Sequence, residues 1–173
     1  DHGISHLLAP LRAASGEPWA PLGERKMVLY PFLRGENAMN AGLTGEQWQI
    51  FGATLRAIHD SGLHDRFQGH IPSETFTLPS AALVRQHLAM LDGARFASPV
   101  ATRFAAFWQE KAETILAMLA RAEALGARLR GKTFEHVLCH ADIHAANILV
   151  DDEGQVWLID WDWPLLAPRE RDL

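Results

Sequence analysis

Apolar positions along this chain recur with two different periods, and the period separates strands from helices. Residues 4–9 ("ISHLLA") and 26–33 ("KMVLYPFL") are short apolar runs bounded by turn formers, which predicts two strands. Gly16, Pro18, Pro21 and Gly23 lie between them and fit a hairpin loop, and "RGENAMNAG" (34–42) reads as a linker. From Thr44 the period becomes helical. Trp48, Phe51, Leu55 and Ile58 share one face, Thr44 and Gln47 have the spacing of a capping box, and Gly62 is a natural stop. Residues 63–78 are rich in turn formers and predict a loop. A short helix over Ala81–Leu91 follows, with Leu83, Val84, His87 and Leu91 inward. Ser98-Pro99 caps and opens a long helix to about Leu125, whose stripe of Val100, Phe104, Phe107, Trp108, Ile115, Met118, Leu119 and Ala122 is expected to be core. Three short strands close the chain: "HVLC" (136–139), "NILV" (147–150) and "QVWLI" (155–159), with "DDEG" (151–154) as the turn between the last two.

The polar residues around these last strands carry chemistry. In "HADIHAANILV" (140–150), His140, Asp142 and Asn147 interrupt a small, apolar run, and "WLIDWDWP" (157–164) places Asp160 and Asp162 at the end of another strand. A carboxylate beside an apolar strand is costly unless something pairs with it. With a turn at 151–154, Asn147 faces Leu158, and alternation puts Asp160 on the same face one diagonal step away. An amide oxygen and a carboxylate converging there make a hard-oxygen site suited to Mg²⁺, which completes its shell with water and phosphates. Asp142, in the loop entering the hairpin, is placed to accept a proton from a substrate hydroxyl. His140 is expected to organise the loop. An Asp base, an Asn five residues on and a later metal-binding Asp is the order protein kinases use.

Composition narrows the partners. The chain has 173 residues, 48% hydrophobic and 21% charged, as expected of a globular protein. A formal net charge of -5 argues against nucleic acid or an anionic membrane and suits a cationic small molecule. The single cysteine, Cys139, excludes an intrachain disulfide and points to a reducing compartment, so a cytoplasmic location is expected. No apolar run is long enough to span a bilayer, and no signal segment opens the sequence. The chain begins with Asp1 and stops at Leu173 soon after an acidic motif, from which a fragment is expected.

"HADIHAANILV" followed by "VWLIDWDWPLLAPRERDL" resembles the paired motifs of the aminoglycoside phosphotransferase and choline kinase superfamily. With "MVLYPFLRGENA" added, the chain most resembles spectinomycin phosphotransferases within it. The resemblance implies an α+β, protein kinase-like fold: a mostly helical C-terminal lobe with a two-stranded remnant of the nucleotide lobe. Residues 1–34 would be that remnant and the hinge, and 35–173 the helical substrate and catalytic lobe. It implies an ATP- and Mg²⁺-dependent O-phosphotransferase of a small, cationic hydroxylated molecule. Asp142 would be the catalytic base and Asn147 and Asp160 the metal ligands. Tyr30 and Phe32 would meet adenine, through the Tyr30 carbonyl and the Phe32 amide, because Pro31 has no N–H. Asp172 would brace the catalytic loop, and Asp142 and Asp162 would lie near the substrate. The sequence departs from the family in one respect: no Gly-rich phosphate loop and no strand lysine precede residue 30. The chain by itself is therefore expected to be catalytically incompetent and to self-associate through uncovered apolar faces.

Plainer readings compete. His136, His140 and His144 recur every four residues, a zinc spacing on a helix, but Val137–Cys139 reads as strand and separates them. His59 and His144 are read as structural. Asp162 fits either a turn cap or a substrate contact. Trp161 and Trp163 are read as packing residues, and Arg169 and Arg171 as surface charges. Two rival functions stand beside the antibiotic kinase: a kinase of choline, homoserine or a sugar amine, and a non-catalytic binding protein.

Overall fold

The computed structural model describes residues 3–91 and 93–173. They form two compact units, one of residues up to Glu74 together with Glu135–Leu173, the other Thr75–Phe134.

The first unit is built around a hairpin. Strands β1 (Ala20–Leu22) and β2 (Arg25–Met27) pair antiparallel as a small separate sheet. β3 (Gly35–Asn37) joins β5 (Ile148–Asp151), which pairs with β6 (Val156–Leu158), giving the order β3-β5-β6. β4 (Val137–Cys139) pairs with β7 (Leu165–Ala167). Helices α1 (Ala38–Ala41), α2 (Gly45–His59) and α3 (His64–Phe67) complete this unit. The expected strand over 4–9 is reduced to one parallel bridge, Leu7 with Leu158, and the second expected strand ends at Met27. Pro31, which lacks an N–H, lies in the stretch that does not pair.

α2 matches its sequence signature. Thr44 accepts from the Gln47 N–H at 3.2 Å and Gln47 returns the bond to the Thr44 N–H at 2.9 Å. Its stripe of Phe51, Leu55 and Ile58 packs with Ala38, Ile148, Val156 and Leu158 into one core, while Trp48 remains 54% exposed at the rim. The expected linker 34–42 instead supplies β3 and α1. Gly35 explains why: its φ of 154° and the closeness of β5, whose Val150 carbonyl a Cβ would overlap, reserve the position for glycine.

The β5–β6 register differs by one residue from the expected one. Val150 faces Val156, Leu149 faces Trp157 and Ile148 faces Leu158. The loop has three residues, 152–154, with Gly154 at φ 79° in the left-handed position that such loops favour. Asp151 stays in the strand, its carboxylate accepting from the N–H groups of Glu153 and Gln155 and from Trp157 Nε1. A slip of one exchanges the faces. Ile148, Val156 and Leu158 therefore point into the core, and Asn147 lies opposite Ile159, whose N–H donates to its carbonyl at 3.0 Å.

The second unit consists of α4 (Ala81–Leu91), α5 (Pro99–Glu110) and α6 (Ala112–Arg130). The expected long helix is two helices that break at Lys111. Half of its stripe is not core here: Val100, Phe104, Phe107 and Met118 are between 55% and 67% exposed, while Trp108, Ile115, Leu119 and Ala122 are half-buried. On α4, Leu83 and His87 are also exposed. The buried residues of these helices are small ones, Ala81, Ala105 and Gly126. Gly126 lies against the Phe76 carbonyl, which also accepts from Arg130 at 2.7 Å.

Candidate active site

The site starts where β4 ends. His140 is fully buried, and both ring nitrogens are engaged. Nδ1 accepts from the Asp142 N–H at 3.3 Å, so Nε2 carries the proton and donates to the Ile159 carbonyl at 2.9 Å. One imidazole thus joins the loop after β4 to the residue after β6, as a loop organiser should. Ala141 takes a left-handed φ of 67°, which is disfavoured for a residue with a Cβ.

The strain there is held by Asp172. Its carboxylate accepts from the N–H groups of His140 (2.9 Å) and Ala141 (2.7 Å) and from His59 Nε2 (2.9 Å). Burial pushes the Asp172 carboxyl upward, but the bonds from His59, Ala141 and His140 together outweigh it and hold it below its usual range. Asn147, in a 3-10 turn over Ala145–Asn147, donates its side-chain N–H to the Asp142 carbonyl at 3.1 Å. Two anchors, one on each side, therefore present Asp142 with its side chain 56% exposed. His144 caps the turn by accepting from the Ala146 N–H, and its Nε2 lies 3.7 Å from Asp142 Oδ2.

The expected sharing of a face by Asn147 and Asp160 does not survive the observed register: Asn147 lies opposite Ile159 and not Leu158, and both residues lie beyond the ends of their strands, where alternation no longer places them. Asp160 has a φ of 66°, which turns the chain away from strand geometry. The bond from the Ile159 N–H to the Asn147 carbonyl sets the residue before Asp160 beside Asn147 at the open end of the hairpin. With its N–H side spent on the Asp142 carbonyl, the Asn147 amide leaves its oxygen as the free acceptor. Asp160 is exposed and has no hydrogen-bonding or ionic partner among the described residues. That donor set fits a hard divalent cation.

Two clefts flank this turn. One, of about 360 Å³, runs from Tyr30, Pro31 and Phe32 to Asp160 and Trp161. The other, of about 580 Å³, is lined by Ala141, Asp162, Trp163 and Arg171. Trp161 and Asp162 border both. Asp142 lines neither, although its neighbour Ala141 lines the second. Trp161 packs edge-on against His140 at 4.6 Å, as expected of a packing residue, and its Nε1 is buried without a partner. Trp163 is 79% exposed and is not a packing residue. Arg169 and Arg171 are surface charges paired with Asp60 and Glu74.

Among the described residues, one set of donors is close enough for a metal: His59, Cys139 and Asp172. It is better satisfied as it stands. Asp172 and His59 already bond each other, and burial first, then the nearby Asp172 charge, push the Cys139 thiol up to about 12. A thiolate ligand is therefore disfavoured. His136, His140 and His144 are not brought together on a helix, because Val137–Cys139 is a strand. The part that His59 plays was missed in the sequence, yet the signal was there. His59 is four residues after Leu55, on the apolar face of α2, where a polar residue must find a partner.

Comparison with known proteins bears on the family and the fold. A model described as the phosphotransferase enzyme family matches residues 2–173. A solved spectinomycin phosphotransferase in complex with ADP and spectinomycin matches with a TM-score of 0.91 and 30% identity, over 99% of this chain and 52% of that one. An AMP-bound complex of spectinomycin phosphotransferase matches with a TM-score of 0.90 and 30% identity, over 99% and 54%. An aminoglycoside phosphotransferase from Alicyclobacillus acidocaldarius shares the fold, with a TM-score of 0.64 and 21% identity over 98% and 51%. The chain thus spans about half the length of these proteins.

Proposed function

The chain belongs to the phosphotransferase enzyme family, and from that premise we propose that it is the hinge and catalytic part of an enzyme that moves the γ-phosphate of ATP to a hydroxyl of a cationic aminocyclitol such as spectinomycin. The observation that carries this reading is the loop 140–147. Asp172 holds its backbone on one side and Asn147 on the other, so that an exposed Asp142 is fixed. Positioning of this kind is most of what phosphoryl transfer asks of a protein.

In this reading residues 1–34 belong to the nucleotide lobe and hinge, and 35–173 to the catalytic and substrate lobe. Adenine lies in the cleft beside Tyr30–Phe32, against the Tyr30 carbonyl and the Phe32 N–H. The cleft of about 360 Å³ has the size of a small-ligand site and connects the hinge to Asp160. Asn147, through its amide oxygen, and Asp160, through its carboxylate, would hold Mg²⁺. When bound, the ion neutralises charge on the phosphate oxygens. The acceptor enters the second cleft, where Asp162 offers a carboxylate to an ammonium group. Asp142 takes the hydroxyl proton as the oxygen attacks phosphorus, and the bond from the γ-phosphorus to the ADP oxygen breaks. The ADP- and spectinomycin-bound neighbour at 30% identity supports the nucleotide and acceptor classes.

The test is a full-length protein carrying this chain, given Mg-ATP and, separately, spectinomycin, choline, homoserine and a sugar amine. A phosphorylated spectinomycin detected by mass spectrometry is the expected product. Transfer to choline or homoserine alone would overturn the acceptor assignment, and no transfer to any hydroxyl would overturn the enzyme reading. As to location, we propose a cytoplasmic enzyme on the ground that its one cysteine, Cys139, is a buried free thiol; no helix among the described residues is long and apolar enough to cross a membrane.

A further inference from the structure

We propose that His6 is a positioning residue of the first cleft, its imidazole standing in for a missing backbone donor beside the strand that leads to Asp160. β6 is at the edge of its sheet, in the order β3-β5-β6. On the β5 side the Gln155 carbonyl accepts from Asp151 and the Ile159 N–H donates to Asn147. Backbone groups alternate from edge to edge along a strand, so Val156 and Leu158 turn theirs to the outer edge. Both residues are 1% exposed, and a buried N–H or carbonyl there needs a partner.

The stretch around His6 supplies both partners, in an unusual way. Ile4 and Leu7 pack against the core that contains Val156 and Leu158, and Leu7 bridges Leu158 in parallel. The His6 carbonyl accepts from the Leu158 N–H at 2.9 Å. In a regular parallel ladder the N–H of the same residue would donate to the Val156 carbonyl, two residues back along β6. His6 instead has a left-handed φ of 64°, outside strand geometry. Its side chain makes the bond: Nδ1 lies 2.9 Å from the Val156 carbonyl, and because a carbonyl only accepts, Nδ1 carries the proton. The ring lies 6.2 Å from that of Trp157. One residue thus closes the edge with its carbonyl on one buried group and its imidazole on the other.

What lies beyond the clamp gives it a function. Asp160 is two residues past Leu158, and Leu8 is two residues past His6. Leu8, Leu158 and Asp160 all line the cleft of about 360 Å³ that reaches Tyr30 and Phe32. Without the imidazole the Val156 carbonyl is orphaned and residues 6–8 loosen from β6, so this wall and Asp160 lose a shared support. Asp142 takes its position from Asp172 and Asn147. The clamp therefore acts on nucleotide and metal and not on the acceptor. The inference rests on the phosphotransferase reading for its binding part and not for its structural part.

The experiment compares wild type, His6→Gly and His6→Asn in the full-length protein. Glycine accepts the left-handed φ but has no donor. Asparagine tolerates it too, and its Nδ2–H is as many bonds from the backbone as the imidazole Nδ1. His6→Gly is expected to weaken Mg-ATP binding, measured by calorimetry, about three- to tenfold, the worth of one hydrogen bond. KM for spectinomycin should be nearly unchanged, and His6→Asn should recover most of the loss. Amide hydrogen exchange gives the readout independent of activity. In His6→Gly the Leu158 N–H should exchange about tenfold faster while those of His140 and Ala141 keep their protection. Glycine and asparagine variants alike in exchange and in binding would show that the imidazole bond does nothing at this edge and would overturn the proposal. Unchanged exchange at Leu158 in His6→Gly, or protection lost evenly through the first unit, would overturn it as well. A wild-type protein that binds no nucleotide would instead refute the functional reading, and the contrast at Leu158 would still decide the role of His6.

Discussion

Replacing Asp172 by asparagine tests the central physical claim, that the loop is held by the number of acceptors and not only by charge. The native carboxylate faces three donors: His59 Nε2, the His140 N–H and the Ala141 N–H. Asparagine is almost the same size but offers one acceptor oxygen, and its NH₂ group would point at a donor. At least one backbone N–H is orphaned in a site where Asp172 is only 4% exposed. A buried group left without its partner costs about 1–3 kcal/mol, more where the bond was charge-assisted. The expected loss is therefore roughly 2–4 kcal/mol, or a fall in Tm of about 5–15 °C for a chain of this size. Urea unfolding followed by tryptophan fluorescence measures it, with Trp157 and Trp161 reporting from the first unit. The pH dependence supplies a second check. The Asp172 carboxyl lies below the usual range in the folded state, burial opposing the shift and the three hydrogen bonds producing it. Its contribution is thus complete above the unfolded value of about 4 and is lost as the pH falls through the lower, folded value. Asp172→Asn should flatten the acid limb of stability below about pH 4. A loss under about 1 kcal/mol, with an unchanged acid limb, would show that Asp172 does not hold the loop.

Three further outcomes are expected. Asp142→Ala should lower kcat by roughly 10²–10⁴ with little change in nucleotide affinity, measured by steady-state kinetics and calorimetry, because in the proposed reaction Asp142 meets the acceptor and not ATP. Gly35→Ala should destabilise the first unit by more than about 2 kcal/mol in chemical denaturation, since its Cβ would overlap the Val150 carbonyl and lie 2.6 Å from the Asp151 Cα. Leu158→Ala, at a residue 1% exposed in the core beside Ile148 and Ile58, should lose about 2–5 kcal/mol by the same assay without changing the loop bonds of Asp172.

Much of this protein was legible from neighbouring residues, because the forces concerned are local. The capping box of α2, the span of α4 and the approximate positions of β4, β5 and β6 follow from side-chain period and short-range hydrogen bonds, and the structure has them. The phosphotransferase motifs were legible too, and with them the α+β, kinase-like class shared with the solved relatives, since those motifs are written in two short stretches, 140–150 and 156–173. Tertiary contacts decided the rest. The register of β5 and β6 depended on a three-residue loop and on Asp151 bonding across it, which the sequence of the turn alone left open. β3 and β7 are too short to show a period and exist because Asp151 and Cys139 offer partner strands. The stripe on α5 and α6 announced burial, but burial requires a surface to receive it, and within this chain Phe104 and Met118 meet solvent. The link from His59 through Asp172 to Ala141 joins residues 113 and 31 positions apart. No local pattern encodes such a contact. It forms because α2 and the chain end converge on one buried carboxylate, and a carboxylate without water takes whatever donors the fold brings within reach.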